Sequence, residues 1–244
     1  MDGSLSYDSF QAWSRHSANS QAIDRAFSMV ARAGKQAIRS GNKAEQEAYT
    51  RLATLALAAY MESSVNEIVW YYSGLREPDR YSLGALSVEN RWRELVRLGF
   101  ARRRGLSSSG VPEALQFTDR ARYNKVVEVI DKRIVPLANA RNALAHGQWE
   151  FAFKVSSVIV DAERMKTIRT YSLWRLTLER NLLKHLVRVV HDLVATVAAH
   201  ERDFDVHVRN LNAANERIVK GSRSKWERTM MARHRRRPSG VSPS

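Results

Sequence analysis

Between Lys43 and Ser73 the apolar residues Leu57, Met61, Val65, Ile68 and Tyr72 recur every three or four positions, which places them on one face of a long α-helix. The pattern before it is looser. Phe10, Trp13, Ile23, Phe27, Val30 and Ile38 are thinly spread through the alanine-rich, mixed-charge stretch Ser9 to Ser40, which predicts a helical arm or two short helices. A loop carrying Gly74, Pro78 and Gly84 follows. The segment SVENRWRELVRLG then reads as a helix with Ser87 as N-cap, Asn90 three residues on and Gly99 as its stop. Its exit, FARRRGLSSSG, reads as a basic, flexible loop. From Thr118, an N-cap followed at once by an acidic residue, Tyr123, Val126, Val127 and Ile130 keep helical spacing. Pro136 is expected to end that helix and to open a short new one running to Gly147, because proline is tolerated in a first turn.

The pattern then changes. WEFAFKVSSVIV, residues 149 to 160, is aromatic and β-branched and predicts a small hairpin with its turn near Ser156. From Glu163 to about Leu211 a single long helix is expected, with Leu176, Leu183, Leu186, Val190, Leu193 and Val197 on its apolar face. Residues 213 to 244 hold nine Lys or Arg against two Glu, a net charge of +7, together with late serines and prolines, and predict a disordered basic tail. The organisation expected is an N-terminal helical arm (1–42), one helical domain (43–212) and the tail (213–244).

Composition adds a partner class. The 244 residues carry 40 Lys plus Arg against 25 Asp plus Glu, a formal net charge of +15. A surface of that sign attracts polyanions; phosphate neutralisation makes nucleic acid the expected partner, although an anionic membrane surface has the same sign. The absence of cysteine excludes disulfides, thiolate nucleophiles and cysteine-ligated zinc. The start MDGSLSYDSF lacks a signal-peptide pattern, and the longest near-apolar run, LATLALAAYM, reaches only about half of a membrane span, so a soluble cytoplasmic protein with no membrane partner is expected. No P-loop, dinucleotide fingerprint, nucleophile elbow or HExxH occurs, and neither a cofactor nor a metal is expected.

The chemistry concentrates in RNALAHG. On a helix Asn142 and His146 lie one turn apart on one face, with Arg141 roughly 140° away from His146. A long arginine side chain still reaches a cleft over the helix end. His146 and Gly147 alone read as an ordinary helix terminus, a cation at the negative end of the dipole followed by a left-handed glycine. Arg141 and Asn142 at their spacing add a second possibility.

Arg141, four intervening residues and His146, near the end of a short helix in a helical chain, resemble the R-x4-x6-H signature of the HEPN superfamily. The resemblance is local to this short motif and implies an all-α, HEPN-like helical bundle over roughly residues 43 to 212, here with a small β-hairpin after the motif helix. It implies a metal-independent endoribonuclease, a toxin or antiphage defence effector with an antitoxin or defence-system partner, in which the ribose 2′-hydroxyl attacks the neighbouring phosphate. It assigns catalysis to Arg141, Asn142 and His146: proton transfer to the histidine, charge stabilisation to the arginine, orientation of the ring or a phosphate oxygen to the asparagine. It also implies a homodimer in which two copies of the motif face each other. Gln148 stands where one toxin branch has a tyrosine, which speaks against that branch and its tyrosine-modifying antitoxin.

Three further features carry expectations. Arg91, Arg93, Arg97, Arg102, Arg103 and Arg104, with Trp92 and Phe100 among them, form a candidate RNA-binding surface. The surrounding LVRLGFARRRGLSSSGVPEALQFTDRAR faintly resembles the helix, strand and wing of a winged-helix DNA-binding regulator, an alternative function; a HEPN-like RNA-binding or dimerising module without catalysis is another. Glu62 interrupts the apolar face of its helix, either as a partner for Arg141 or as a boundary residue. His185, His191, His200 and His207 lack the i, i+4 spacing of helical metal sites and read as surface residues.

Overall fold

The computed structural model describes residues 3–154, 158–195 and 197–235. Ten α-helices account for most of them: α1 (Gly3–Ser40), α2 (Lys43–Val69), α3 (Glu77–Gly84), α4 (Val88–Arg104), α5 (Phe117–Val129), α6 (Val135–Ala145), α7 (Ala162–Thr170), α8 (Leu173–Val194), α9 (Val197–Lys220) and α10 (Arg223–Arg235). Among the described residues none is in a β-strand. The all-α expectation is met, and no described helix is long and apolar enough to cross a membrane.

The fold starts from a helical hairpin. Gly41, at φ 72°, ends α1, and the Asn42 side chain accepts a hydrogen bond from the Glu45 amide at 3.2 Å to start α2. The two helices run antiparallel along their length: Phe10 and Trp13 near one end of α1 stack edge-on against Tyr72, three residues past the end of α2, and Ser20 meets Ser64 at 3.3 Å in the buried interior. The loosely spaced residues of the expected arm thus form one continuous helix whose Phe27, Ala31 and Ile38 belong to the main core. Gly34 permits the close approach, since a Cβ there would lie 2.4 Å from Leu173 Cδ1 and 3.0 Å from Tyr49 Cβ. Helix α2 sits at the centre, touching α1, α4, α6 and α8, and its Ala53, Leu57, Met61, Val65 and Ile68 are all but fully buried.

Several boundaries differ from the sequence reading, each for a local reason. Helix α4 runs past Gly99 through FARRR and ends at Gly105, φ 62°. Gly99 is helical because it faces α8: a Cβ there would lie 2.7 Å from Leu193 Cβ. Residues 106–116 hold a single 3₁₀ turn, Ser108–Gly110, and no strand, so the strands of the winged-helix alternative are absent there. Pro136 does not break the chain into two helices. The five residues Ile130–Ile134 adopt the wider π-helical turn and α6 continues from Val135, with Pro136 in its first turn.

The long run expected from 163 to 211 is three helices. Ser172 starts α8 by accepting from the Arg175 amide at 3.3 Å, and α8 turns back into α9 at Ala195. The antiparallel α8–α9 pair is joined across its open side by the 2.6 Å contact between His207 Nδ1 and Asp192 Oδ2. The tail expected to be disordered from 213 is helical through Arg235: Leu211, Ala214 and Ile218 continue the apolar spacing of α9 and are buried, and Trp226 of α10 packs against the same core. Dense positive charge on the outer face hid that inner stripe. Residues 236–244 lie outside the described residues. The hairpin expected at 149–160 reduces to one antiparallel bridge, Phe153 with Val160; its turn at 155–157 lies outside the described residues.

Candidate active site

Helix α6 lies across α2 on small side chains. Ala138, Ala140, Ala143 and Leu144 are buried, while Asn142, Ala145 and His146 are exposed. A second, smaller apolar cluster covers the inner face of the helix end. Ala143 and Leu144 pack with Ala152, Met165 and Ile168 of the following segment and of α7, and Leu55 and Trp149 close it. Trp149 is fixed by donating its indole N–H to Leu144 O at 2.9 Å. The chain after the motif therefore folds back over the inner face and leaves the outer face open to solvent.

The helix end itself is a Schellman turn. His146 is the C-cap residue, Gly147 takes φ 75°, the Gly147 amide donates to Leu144 O at 3.2 Å, and the Gln148 amide donates to Ala143 O at 3.0 Å. This is the terminus that His146 and Gly147 predict on their own. It also determines what His146 can do: the cap fixes its backbone while its exposed side chain has no hydrogen-bond or ion-pair partner among the described residues.

The structure brings Arg141 and Asn142 together and adds Glu62. Arg141 Nη1 donates to Asn142 Oδ1 at 3.1 Å and Nη2 donates to Glu62 Oε2 at 3.1 Å. The Arg141 side chain retains 43% of its exposure and Glu62 37%. The ion pair spans α6 and α2 at the rim of their contact, so the charge that interrupts the apolar face of α2 is the partner of Arg141. The five donors of a guanidinium exceed these two bonds. The His146 amide donates to Asn142 O at 3.2 Å, but no side-chain hydrogen bond links the His146 ring to Arg141 or Asn142.

The six arginines around α4 are distributed differently from the expectation of one anion-binding surface. Arg91 bonds the carbonyls of Leu83 (3.1 Å), Gly84 (3.2 Å) and Leu86 (3.0 Å) and the Asn66 side chain, closing the end of α3. Arg102 donates to Gly74 O at 2.5 Å, and Arg103 donates to Leu193 O at 3.1 Å and to Asp192 O at the end of α8. Arg97 pairs with Glu94, Arg93 with Asp131 at 2.6 Å and Arg104 with buried Asp119 at 2.5 Å. Successive arginines coexist because they diverge around the helix and each meets protein carbonyls or carboxylates. Arg93 and Arg104 remain the most open of the ion-paired ones, at 36% and 49% side-chain exposure.

The histidines of the long run separate onto two helices. His191 packs edge-on against Tyr71 at 4.7 Å, His207 binds Asp192, and burial, with Arg188 and His207 nearby, holds His185 below its ordinary value. Among the described residues no group of three or more His, Asp or Glu side chains gathers around a point where a metal ion would sit.

Set against known protein families, curated proteins and solved structures, the chain matches none of them.

Proposed function

We propose that this chain is a HEPN-like, metal-independent endoribonuclease acting as a toxin or defence effector. The observation that supports this reading most directly is the terminus of α6, where Arg141 is bonded to Asn142 and an exposed His146 with no side-chain partner among the described residues lies one helical turn beyond Asn142. The chemistry needs few groups. The imidazole transfers a proton at the 2′-hydroxyl or at the leaving 5′-oxygen. The guanidinium stabilises the charge that grows on the phosphorane oxygens. Asn142, its Oδ1 accepting from Arg141, turns its amide N–H groups toward the phosphate.

One histidine per chain fills one proton-transfer role at a time. The proposal therefore includes a homodimer in which a second copy supplies the other His146 and Arg141. The net charge of +15 supports an RNA partner, and Arg93 and Arg104 are the candidate phosphate contacts away from the centre.

A second reading, an RNA-binding module of the same kind without catalysis, is favoured by the Glu62 contact, which neutralises Arg141 in the resting protein. The two differ in one experiment. The enzyme cuts RNA in EDTA and leaves 2′,3′-cyclic phosphate ends, whereas the binding module retains RNA on a filter and leaves it whole. Absence of cutting by dimeric, folded wild-type protein across a panel of structured and unstructured RNAs contradicts the enzyme.

A further inference from the structure

The helix that carries the motif is weakly built at its start. Helix α6 follows directly on the π turn Ile130–Ile134, where the Val135 amide donates to Ile130 O, five residues back instead of four. Pro136 comes next and has no N–H to give, so a rung of the backbone ladder is missing beside the widened turn. Helices bend at such places. The backbone by itself therefore sets the direction of α6 loosely, and with it the places of Arg141 and His146.

Side chains hold the helix instead. At its far end Leu144 O accepts the indole N–H of Trp149 at 2.9 Å, and midway Arg141 meets Glu62 of α2 at 3.1 Å. The π turn is gripped from two sides. Asp131 pairs with Arg93 of α4 at 2.6 Å, with both side chains more than a third exposed, so that pair contributes little. On the other side Arg133 Nε donates to Asn215 Oδ1 of α9 at 3.0 Å, a part-buried bond between residues 82 apart in the chain.

Arg133 differs from the arginines of the surface. Burial holds its guanidinium below the ordinary value, opposed by the Glu179 carboxylate of α8, which is itself 3% exposed and accepts from Arg175 Nε at 2.8 Å. Its neighbours in the turn, Ile130 and Ile134, are fully buried. A part-buried bond from a charged donor is worth more than an exposed ion pair, so Arg133 is the stronger of the two grips on the turn.

We propose that the turn Ile130–Ile134 is the hinge of the motif helix and that Arg133, through Asn215, is the positioning residue that locks it in the orientation presenting Arg141 and His146. The inference rests on the reading of Arg141 and His146 as catalytic residues. Arg133 itself touches no RNA; it acts through the direction of α6. Displacement of catalytic groups by an ångström is costly to the chemical step, so loss of the lock falls on kcat.

Hydrogen exchange of the full chain, read by mass spectrometry, tests the hinge without recourse to activity. In Arg133→Met, and in the milder Asn215→Ala, peptides covering residues 130–146 are expected to exchange roughly tenfold faster or more, with those of α2 unchanged. Arg133→Lys, whose ammonium can still donate to Asn215, is expected to fall between Arg133→Met and wild type. In cleavage assays kcat is expected to drop roughly tenfold or more in Arg133→Met and Asn215→Ala, with KM within about twofold of wild type. If the wild type cuts no RNA, the role in catalysis falls with the reading it rests on, and the exchange still decides whether Arg133 locks the hinge. Wild-type exchange over 130–146 in both folded variants overturns the lock. Acceleration spread equally over α2 and α8 overturns it as well, since that is general loss of stability.

Discussion

Arg141 Nη2 lies 3.1 Å from Glu62 Oε2, and this contact ties the motif helix α6 to the central helix α2. The pair is roughly two-fifths exposed on both sides, so its contribution to stability is small, on the order of 1 kcal/mol or less. Its effect falls instead on the guanidinium, which it both orients and neutralises. Glu62→Gln is expected to leave the melting temperature nearly unchanged, to lower KM for RNA a few-fold by removing a negative charge, and to lower kcat because Arg141 loses its anchor. Steady-state cleavage kinetics check the split; a variant with kcat and KM both at wild-type values shows that Glu62 does not position Arg141.

The arginines around α4 predict a division between stability and binding. Arg91 closes the end of α3 through three carbonyls and Asn66, so Arg91→Ala removes four hydrogen bonds to part-buried and exposed acceptors at once. A loss of about 2 kcal/mol, or a melting temperature lower by roughly 4–8 °C, is expected, with RNA affinity little changed. Arg104→Gln should do the reverse on RNA, weakening retention at low salt. Thermal melting and filter binding of the two variants side by side separate these roles.

Much of the fold was legible in the spacing of apolar residues, and the failures share a cause. Leu57, Met61, Val65 and Ile68 announced α2, and Arg141, Asn142, His146 and Gly147 announced the helix end that the structure forms. Boundaries set by tertiary contact were not legible. Gly99 stays helical because Leu193 leaves no room for a side chain, Pro136 is absorbed by a π turn upstream, and Leu211, Ala214 and Ile218 are helical and buried beneath a charge pattern that resembles disorder. The Arg91 cluster looked like an anion site because a sequence lists charges without the carbonyls that meet them. A cleft between the start of α2, the α7–α8 junction and the start of α10 draws its lining from residue 46 to residue 223, a separation that no local pattern reports.

Two glycines give opposite tests of those boundaries. Gly99→Ala gains helix propensity yet forces a Cβ to within 2.7 Å of Leu193 Cβ, and should destabilise by about 1–3 kcal/mol. Gly147→Ala meets nothing within 4 Å but must hold φ 75°, which costs about 1 kcal/mol. Urea denaturation of each measures the difference. A stabilised Gly99→Ala protein contradicts the close α4–α8 packing.

Asp24 predicts a pH dependence of stability. Burial alone raises its carboxyl, but bonds from Arg180 (2.5 and 2.7 Å) and Lys184 (2.9 Å) outweigh that and hold it below its ordinary value. A carboxylate lowered in the folded state contributes its stability fully above the unfolded pKa, about 3.9, and loses it as pH falls through the lower folded value. Asp24→Asn is therefore expected to cost about 1–2 kcal/mol at pH 7, and the gap to wild type to close below about pH 4. Urea midpoints at pH 7, 5 and 3 check it; a gap independent of pH excludes the ionised carboxylate as its source.

The central claim is that His146 moves a proton during RNA cleavage. The most direct measurement is cutting of a labelled RNA in EDTA by wild type and by His146→Ala, with circular dichroism showing both equally folded. The account predicts cyclic-phosphate ends from the wild type and a loss of at least about a hundredfold in the variant, since general acid–base catalysis contributes ~10²–10⁴. Equal cutting by the two proteins, or products that appear only when a divalent metal is supplied, would contradict it.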